Sequence, residues 1–310
     1  MRIVEPSCTI LDDLDHKSAA LRVEYCGRVC YKSESRIDAD SAAPFVRRML
    51  ENEHLSVLEM AVLTRRIRCG AEHVTALFAE DPRFFQLDRT EDGLLLTASI
   101  RAVRDFAQSG ERGRLAVMRA LVRALRNEEP LFFADLPDFG DAPDITIHKV
   151  PLAEVDRLPP ELLARHRFLA VKFVVNRAVS HELVRHRPCS FLQESQRYCR
   201  YNAERFGGEV AFIRPLFFAE GSPEFALWRE STAASEAAYL RLLETSTPQA
   251  ARTVLPNSCK TELIVFTHLQ EWRHVLRLRT SPAADPSMRE VMAPLKEELE
   301  RRWPAVFAAG

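Results

Sequence analysis

The sequence predicts an α+β protein. Stretches with helical periodicity and helix caps are interspersed with short apolar runs that are typical of strands. At 310 residues the chain is long enough to bury a sizeable core. Its length permits one large domain or two ordinary ones.

The N-terminal part predicts a helix, a strand and a second helix. Ser41 precedes Pro44 and an apolar set that ends near Asn52, which indicates a capped helix. Alternation from Val62 to Arg66 suits a strand. An apolar face between Leu115 and Leu125 predicts an amphipathic helix.

The C-terminal part predicts two strands and several helices. Prolines are dense between Glu129 and Pro160 and periodicity fades, as in a long surface connection. We predict strands at 171–175 and 261–266. The predicted helices are 180–184, 222–245, one from 247 that stops at Pro256, 268–279 and 286–302.

Composition limits the class of protein. With 43 Lys+Arg against 44 Asp+Glu the formal net charge is -1, so any basic site is local and no nucleic-acid coat is expected. No run of 18 apolar residues and no signal-peptide pattern is seen, so we expect no membrane contact. Seven cysteines without a Cys-x-x-Cys pair indicate reduced thiols. We therefore expect a cytoplasmic protein.

Glycine is scarce, with 10 residues in 310. The chain has neither a Gly-x-Gly-x-x-Gly fingerprint nor a phosphate-binding loop of the Gly-Lys-Ser/Thr type. A nucleotide would therefore be held by arginine side chains and helix N-termini.

The segment from Arg185 to Tyr198 is the strongest candidate site. It carries three arginines beside hydroxyl, amide and phenol groups. Guanidinium groups match phosphate oxygens two at a time, and the neutral groups suit a sugar and a base. The alternative from composition alone is a solvated, charged surface loop.

Two other chemistries are open at this segment. His181 and His186 resemble a zinc pair, but a spacing of five residues turns the two side chains apart by roughly 140° on one helix. We therefore predict no metal. Cys189 lies among arginines that would lower its pKa, which makes it a candidate nucleophile.

The same segment resembles the signature of the flavin-dependent thymidylate synthase (ThyX) family. In that signature an Arg-His-Arg triplet is followed after seven residues by Ser, and two positions later by Arg and usually Tyr. Matching residues are Arg185, His186, Arg187, Ser195, Arg197 and Tyr198, and Ser190 falls on a further family serine. The resemblance implies a ThyX-like fold, with an antiparallel sheet flanked by helices.

Four further blocks are similar to family segments. They are Gly27–Tyr31, His54–Glu59, Ala251–Pro256 and Trp272–Arg279. The resemblance implies a single catalytic domain over 1–310, with an inserted segment at about 70–165 relative to short members. Within that insertion, 95–106 faintly echoes 264–275, with identity only at Arg104 and Arg273. This echo is either a duplicated strand-helix unit or a coincidence.

The resemblance implies reductive methylation of uracil C5 in dUMP. Methylenetetrahydrofolate would be the carbon donor, NADPH the reductant and FAD the relay, in a homotetramer with sites shared between subunits. Arg279 is the expected catalytic residue, since it would stabilise negative charge on the uracil carbonyls. The expected nucleotide-binding residues are Glu182, Arg185, Gln193, Ser195, Gln196, Arg197, Arg252 and Arg279.

The resemblance also implies a flavin site. Its expected residues are Cys30, His54, Ser56, Glu59, Arg185, His186, Arg187, Pro188, His268, Gln270 and His274. His268 and Gln270 stand where the family often has Asn and Arg, which removes one positive charge and predicts weaker flavin binding. Glu182 stands where some members have Gln, and a carboxylate there would repel a phosphate.

Two alternatives for function remain. The first is a UMP C5-methylase for specialised nucleoside biosynthesis, because UMP differs from dUMP by a single hydroxyl. The second is a non-catalytic nucleotide- or RNA-binding protein that uses the basic stretch from Arg185 to Arg200. The near-neutral net charge counts against RNA binding.

Overall fold

Helices and strands alternate irregularly along the chain. The computed structural model describes residues 1–203 and 207–307. The helices are α1 (Ala19–Tyr31), α2 (Ala42–Glu51), α3 (Ala71–Ala79), α4 (Ile100–Ala107), α5 (Ala116–Glu128), α6 (Pro130–Phe133), α7 (Leu152–Val155), α8 (Pro160–His166), α9 (Arg177–Leu183), α10 (Pro223–Thr245), α11 (Pro248–Ala251), α12 (Leu269–Arg279), α13 (Pro286–Arg302) and α14 (Pro304–Phe307). The strands are β1 (Arg2–Val4), β2 (Ser7–Ile10), β3 (Val62–Arg68), β4 (Phe85–Thr90), β5 (Gly93–Ser99), β6 (Thr146–Lys149), β7 (Phe168–Asn176), β8 (Ser190–Gln193), β9 (Ala211–Ile213) and β10 (Lys260–His268).

Two four-stranded antiparallel sheets carry the fold. The N-terminal sheet has the order β4-β5-β3-β6, and the C-terminal sheet has the order β2-β7-β10-β8. A separate parallel pair joins β1 to β9. The α+β class and the antiparallel sheets flanked by helices are therefore confirmed.

The C-terminal sheet is covered on both faces. Val171 and Phe173 on β7 belong to a cluster with helices α12 and α13, among them the fully buried Trp272. Ala170 and Phe266 point to the other face and join a larger cluster that includes α1. Burial on both faces explains the uninterrupted apolar run at 263–266 in β10 and the mostly apolar sequence of β7.

The larger apolar cluster also contains the core of the N-terminal sheet. Leu94 and Leu96 on β5 are completely buried there, and Leu121 on α5 packs into the same cluster. Apolar residues of both sheets thus share one core, with α1 between them.

Most predicted elements of the C-terminal part are present with shifted ends. The strands at 171–175 and 261–266 extend to the full lengths of β7 and β10. The helix predicted at 180–184 begins earlier, because Asn176 caps α9 by accepting a hydrogen bond from the backbone N of Val179 at 2.8 Å. The helix predicted from 247 is short and continues as a 3-10 turn.

The proline-rich stretch from 129 to 160 differs from the prediction of a plain surface connection. It contains α6, α7 and the edge strand β6, and α8 begins at Pro160. The four residues of β6 are mostly exposed, so they carry no apolar periodicity that could identify a strand. The segment at about 70–165 supplies three of the four strands of the N-terminal sheet.

Candidate functional site

The Arg185–Tyr198 segment connects α9 to β8 and continues beyond that strand. Because β8 pairs with the central strand β10, its position is fixed by backbone hydrogen bonds, with Leu263 opposite Gln193. His186 is buried in the turn, whereas Arg185 and Arg187 on either side of it are exposed. The turn therefore presents two arginines to solvent around one buried imidazole.

Arg279 is the last residue of α12 and reaches this turn. Its Nη1 donates to Oε2 of Glu182 at 2.6 Å, and its Nη2 donates to the Glu182 carbonyl at 2.8 Å. Its Nε donates to Nε2 of His186 at 2.9 Å. The predicted catalytic arginine is thus held in one orientation by two residues of the predicted nucleotide and flavin sites.

His186 is a neutral imidazole in this arrangement. Burial lowers its pKa to about 4, and the positive charges of Arg279 and His274 act in the same direction. Because Nε2 accepts the hydrogen bond from Arg279, the ring proton lies on Nδ1. His186 therefore orients the guanidinium without adding a charge.

Glu182 forms an ion pair with Arg279 and partly neutralises it. The Glu182 side chain is 34% exposed and that of Arg279 is 17% exposed, so the pair lies at the edge of the buried region. An anionic ligand that contacts Arg279 must compete with this carboxylate. The sequence indicated a repulsive role for Glu182, and its pairing with Arg279 is a feature that the sequence did not reveal.

Four other predicted site arginines have no carboxylate within ion-pair distance in residues 1–203 and 207–307. They are Arg185, Arg187, Arg197 and Arg252. The other ion pairs of the described chain involve different arginines, such as that of Arg101 with Glu59. Unpaired guanidinium groups are available to a phosphate.

The remaining predicted nucleotide residues lie where β8 meets α1. The backbone N of Ser195 donates to the Cys30 carbonyl at 2.9 Å. The Gln193 amide donates to Oγ of Ser180 at 2.9 Å, and the Gln196 amide contacts Sγ of Cys259 at 3.5 Å. These contacts fix the backbone that leads to the exposed Arg197.

A cavity of about 1030 Å³ lies beside α12. It is lined by three predicted flavin residues, His268, Gln270 and His274. Four cationic side chains also line it, namely Arg165, Arg273, Arg277 and Lys296, and they outnumber its two carboxylates, Glu271 and Glu300. Its size is at the upper end of the range for cofactor sites, and its charge suits a phosphate-bearing molecule.

The other predicted flavin residues lie elsewhere. His54 lines a separate cleft of about 430 Å³ together with Tyr31 and Tyr198. The rings of the two tyrosines are 5.5 Å apart, and the Tyr31 hydroxyl is 3.4 Å from Nδ1 of His54. Glu59 is bound by Arg101 at 2.5 Å, and Ser56 lies in the 3-10 turn before β3. The predicted flavin residues therefore do not line a single cavity within the described chain, since His268, Gln270 and His274 line one and His54 lines another.

The insertion contributes to the cavity beside α12, which the sequence did not indicate. Gln86 of β4 and Arg165 of α8 both line it. The Arg165 guanidinium also contacts Asp88 of β4. Arg165 brings a positive charge to the cavity in which Gln270 replaces the arginine that is frequent in the family.

Metal binding is disfavoured at the one group of potential ligands that the described residues bring together. His186, Glu271 and His274 place ligand atoms within 4.8 Å of one another. The His186 atom that faces Glu271, at 4.0 Å, is Nδ1, and that nitrogen carries the proton. A metal there would require the opposite tautomer, which would place an N–H against the Arg279 donor. His181 is exposed on α9 and turned away from the buried His186.

Two cysteines of the candidate site, Cys189 in the segment and Cys30 on α1, are thiols rather than thiolates. Burial raises the pKa of Cys189 to about 12, and burial likewise raises that of Cys30 to about 12. A nucleophilic role for Cys189 is therefore disfavoured, because the arginines nearby do not offset its desolvation.

The fold and the site define an α+β protein in which an arginine-rich segment between α9 and β8 is contacted by Arg279, the last residue of α12. Residues 163–305 match the family described as Thymidylate synthase complementing protein. This region of the chain, slightly less than half of its length, therefore resembles the flavin-dependent thymidylate synthase (ThyX) family.

Curated relatives support the same family. Flavin-dependent thymidylate synthases of Mycolicibacterium gilvum and Mycobacteroides abscessus are each 33% identical over 150 residues, which cover 43% of this chain and 58% and 57% of theirs. That of Thermococcus kodakarensis is 35% identical over 127 residues, covering 41% of this chain and 51% of its own. The chain thus spans a little over half the length of these relatives. No helix among the described residues is long and apolar enough to cross a membrane.

Proposed function

We propose that this protein catalyses reductive methylation of uracil C5 in dUMP, using FAD, NADPH and methylenetetrahydrofolate. The observation that carries the proposal is the placement of Arg279, which α12 delivers to the Arg185–Tyr198 segment. Flavin dependence of the relatives supports a flavin cofactor. The choice of FAD, NADPH and the folate derives from the family resemblance.

The nucleotide would bind through its phosphate and its base. Ser195, Gln196, Arg197 and Arg252 would hold the phosphate, with Gln193 nearby. Arg279 would contact the uracil and stabilise negative charge on its carbonyl oxygens as C5 becomes nucleophilic. A fixed, preoriented guanidinium is suited to this role, because it loses no reorganisation energy during the reaction.

The cavity beside α12 fits a flavin nucleotide in volume and charge. His268, Gln270 and His274 would contact the cofactor, and Arg165 would supply a positive charge for its phosphates. When bound, the flavin would supply the reducing equivalents and the one-carbon transfer. The protein would orient both ligands and keep Arg279 charged.

Several finer expectations belong to the same proposal. UMP remains an alternative substrate, because unusual flavin-side residues such as His268 and Gln270, together with an insertion, would suit a specialised methylase. A homotetramer with shared sites and a cytoplasmic location are expected from the resemblance. Native mass spectrometry of the purified protein tests the assembly directly.

A side-by-side turnover assay tests the proposed function. The FAD-loaded protein receives NADPH and methylenetetrahydrofolate with either dUMP or UMP, and the methylated product is measured by chromatography. We expect product from dUMP. Arg197→Gln should weaken nucleotide binding by about tenfold, since one phosphate contact is worth about 1.4 kcal/mol.

A matched variant controls for a general loss of charge. Arg83→Gln removes an exposed arginine from the turn between α3 and β4, outside the proposed site, and should leave turnover unchanged. Product from UMP alone would establish the specialised methylase. No product from either nucleotide, together with tight binding to RNA, would establish the non-catalytic alternative.

A further inference from the structure

The two four-stranded sheets have the same topology. In the N-terminal sheet β5 lies between β4 and β3, and β6 extends the sheet beyond β3. In the C-terminal sheet β10 lies between β8 and β7, and β2 extends the sheet beyond β7. Every pairing in both sheets is antiparallel. The strands therefore correspond one to one.

The helices that follow these strands correspond as well. α3 follows β3 as α9 follows β7, and α4 follows β5 as α12 follows β10. The first residue of β3, Val62, pairs with Ser99, and the first residue of β7, Phe168, pairs with His268. The two units thus share their register as well as their element order.

Ser99 and His268 also play the same local role. Each is the N-cap of the helix that follows, and each side chain accepts a hydrogen bond at 3.1 Å from the backbone N three residues later. Pairing these two positions aligns 95–106 with 264–275, which is the faint echo in the sequence. The identical residues Arg104 and Arg273 then occupy the same position of α4 and α12.

Each unit receives an edge strand from the segment that precedes the other unit. β2 lies before α1 and β3 in the chain, yet it pairs with β7. β6 lies before α8 and β7, yet it pairs with β3. The helix α1 also precedes β3 in the chain but packs on the C-terminal sheet, against β8 and β10. Reciprocal exchange of an equivalent element is typical of two associated copies of one fold.

The polar residues of the site are absent from the first unit. The alignment that pairs Ser99 with His268 places Gly110 opposite Arg279, three residues beyond the end of α4. Gly110 has a positive φ of 69°, so the helix cannot continue through it without strain. The turn after α3 begins with Glu80 and Asp81, which are acidic, whereas the turn after α9 contains Arg185 and Arg187.

We propose that the chain is an internal pair of equivalent units in which the first is a non-catalytic partner that completes the nucleotide site of the second within the same chain. The N-terminal half (residues 1–128) then provides α1 and the cleft beside it, and the C-terminal half (residues 129–307) provides the arginines. Each chain has one nucleotide site, although it has two copies of the fold. The inference depends on the proposed methylation of a uracil nucleotide. It replaces the sharing of a site between subunits, which the family resemblance implies, with sharing between the two units of one chain.

Contacts between the halves support completion within one chain. The Cys30 carbonyl of the N-terminal half accepts the hydrogen bond from Ser195 of the C-terminal half. Tyr31 stacks with Tyr198, the residue next to Arg197, and His54 lies within 3.4 Å of the Tyr31 hydroxyl. The nucleotide segment is thus held by residues of the N-terminal half of the same chain.

Native mass spectrometry with increasing dUMP measures the number of sites. We expect saturation at one nucleotide per chain, and Arg279→Ala should lose that nucleotide. Saturation at two nucleotides per chain would overturn the inference and leave the proposed function in place. A chain that binds no nucleotide would overturn the proposed function and the inference with it.

Mixing two full-length variants tests where the halves of one site come from. His54→Ala impairs the N-terminal contribution at an exposed position, and Arg279→Ala impairs the C-terminal one. The two chains are co-expressed with different affinity tags, and mixed oligomers are purified through both tags. If each site is completed within one chain, every site keeps one lesion and turnover is not restored.

Restoration to about a quarter of wild-type turnover would overturn the inference, because it requires a site built from two different chains. Co-expression of each single variant with itself provides the baseline. Should the protein form no oligomer, wild-type turnover by the monomer would support completion within one chain. Unfolding of either variant is excluded by circular dichroism, and Tyr31→Phe then replaces His54→Ala where that variant fails to fold.

Discussion

The two halves of the molecule share a fold but differ in chemistry. Both contain a central antiparallel strand that leads into a capped helix, and both bury apolar side chains on that strand. The C-terminal half has an arginine at the end of that helix and two arginines in the turn after α9. In the N-terminal half the corresponding helix ends without one, and the turn after α3 has a single arginine, Arg83, beside two acidic residues. The comparison shows that burial and register maintain the architecture, while a few residues at turns and helix ends determine the site.

Substitution of Arg279 should produce the largest loss of turnover, whereas a substitution at the corresponding place in the N-terminal half should produce none. Arg279→Ala removes the guanidinium that Glu182 and His186 orient toward the nucleotide segment. We expect kcat to fall by about 10³-fold, or about 4 kcal/mol, as for the loss of a charged group that stabilises the transition state. Steady-state turnover with dUMP measures this.

A control for this prediction lies at the corresponding end of α4. Arg112→Ala removes an exposed arginine that pairs with Glu80 at 2.8 Å, close to where a functional copy would have its arginine. Its turnover should equal that of the wild type. Equal losses in both variants would mean that the two halves do not differ in function.

The identical arginines of α4 and α12 should differ in their contribution to stability. Arg104 is buried and binds both carboxylate oxygens of Asp135, at 2.7 and 2.6 Å, as well as the Phe132 carbonyl. Arg273 makes one hydrogen bond, to the Val306 carbonyl at 3.3 Å. Arg104→Ala should lower the free energy of unfolding by about 2 kcal/mol, and Arg273→Ala by about 0.5 kcal/mol.

Urea unfolding followed by circular dichroism compares these two variants. We expect only a moderate loss of unfolding free energy in Arg104→Ala, because the Asp135 side chain is 57% exposed and water solvates its carboxylate once the arginine is removed. Equal destabilisation would indicate that the shared position on the two helices, rather than the burial of the side chain, determines the contribution of each arginine to stability.

The sequence predicted the C-terminal half better than the N-terminal half. Strands β7 and β10 each contain an apolar run of four residues, and α10 has a serine cap with proline at its first turn, so local patterns suffice. β2 and β6 are short and largely exposed, and they are placed only by pairing with distant strands. Such pairing has no local signal, which is why the sequence indicates only an insertion where three strands of the N-terminal sheet lie.

The candidate site was predictable to the extent that it follows a linear motif. The segment around Arg185 and the position of Arg279 were identified from the family resemblance, and the structure brings Arg279, Glu182 and His186 into contact. The contribution of Arg165 was not predictable, because it depends on how α8 packs against α12 and β4. Residues brought in by tertiary packing leave no spacing in the sequence.

Removing the carboxylate that competes for Arg279 should have a moderate effect. Glu182→Gln keeps the size of the side chain and removes its charge, so an anionic nucleotide no longer displaces an ion pair. We expect dUMP to bind about fivefold more tightly, or about 1 kcal/mol, the upper range for a partly exposed pair. Isothermal titration calorimetry measures the dissociation constant.

The corresponding helix of the N-terminal half offers the control. Glu72→Gln on α3 neutralises a carboxylate whose side chain is 75% exposed, and nucleotide affinity should not change. Weaker binding by Glu182→Gln would show that Glu182 is needed to orient Arg279 and that its charge is not a barrier.

The smallest expected effect is the pH dependence of stability that His186 contributes. Its pKa is lowered to about 4 in the folded protein, below the value of about 6.5 in an unfolded chain, and Arg279, His274 and Glu271 are the charged or titratable groups that face it. The unfolded chain therefore binds more protons as the pH falls below 6.5, and acid favours unfolding. Between pH 7 and pH 6 this histidine should lower the free energy of unfolding by about 0.7 kcal/mol, and above pH 7 it should contribute almost no slope.

His186→Gln should remove that part of the pH slope of the unfolding free energy measured from urea unfolding curves. His73→Gln, on α3 of the N-terminal half, is the control for loss of a histidine outside the site, since His73 is partly exposed beside Glu72. An unchanged slope in the His186 variant would mean that folding does not lower the pKa of this imidazole, which would contradict its assignment as a buried neutral ring.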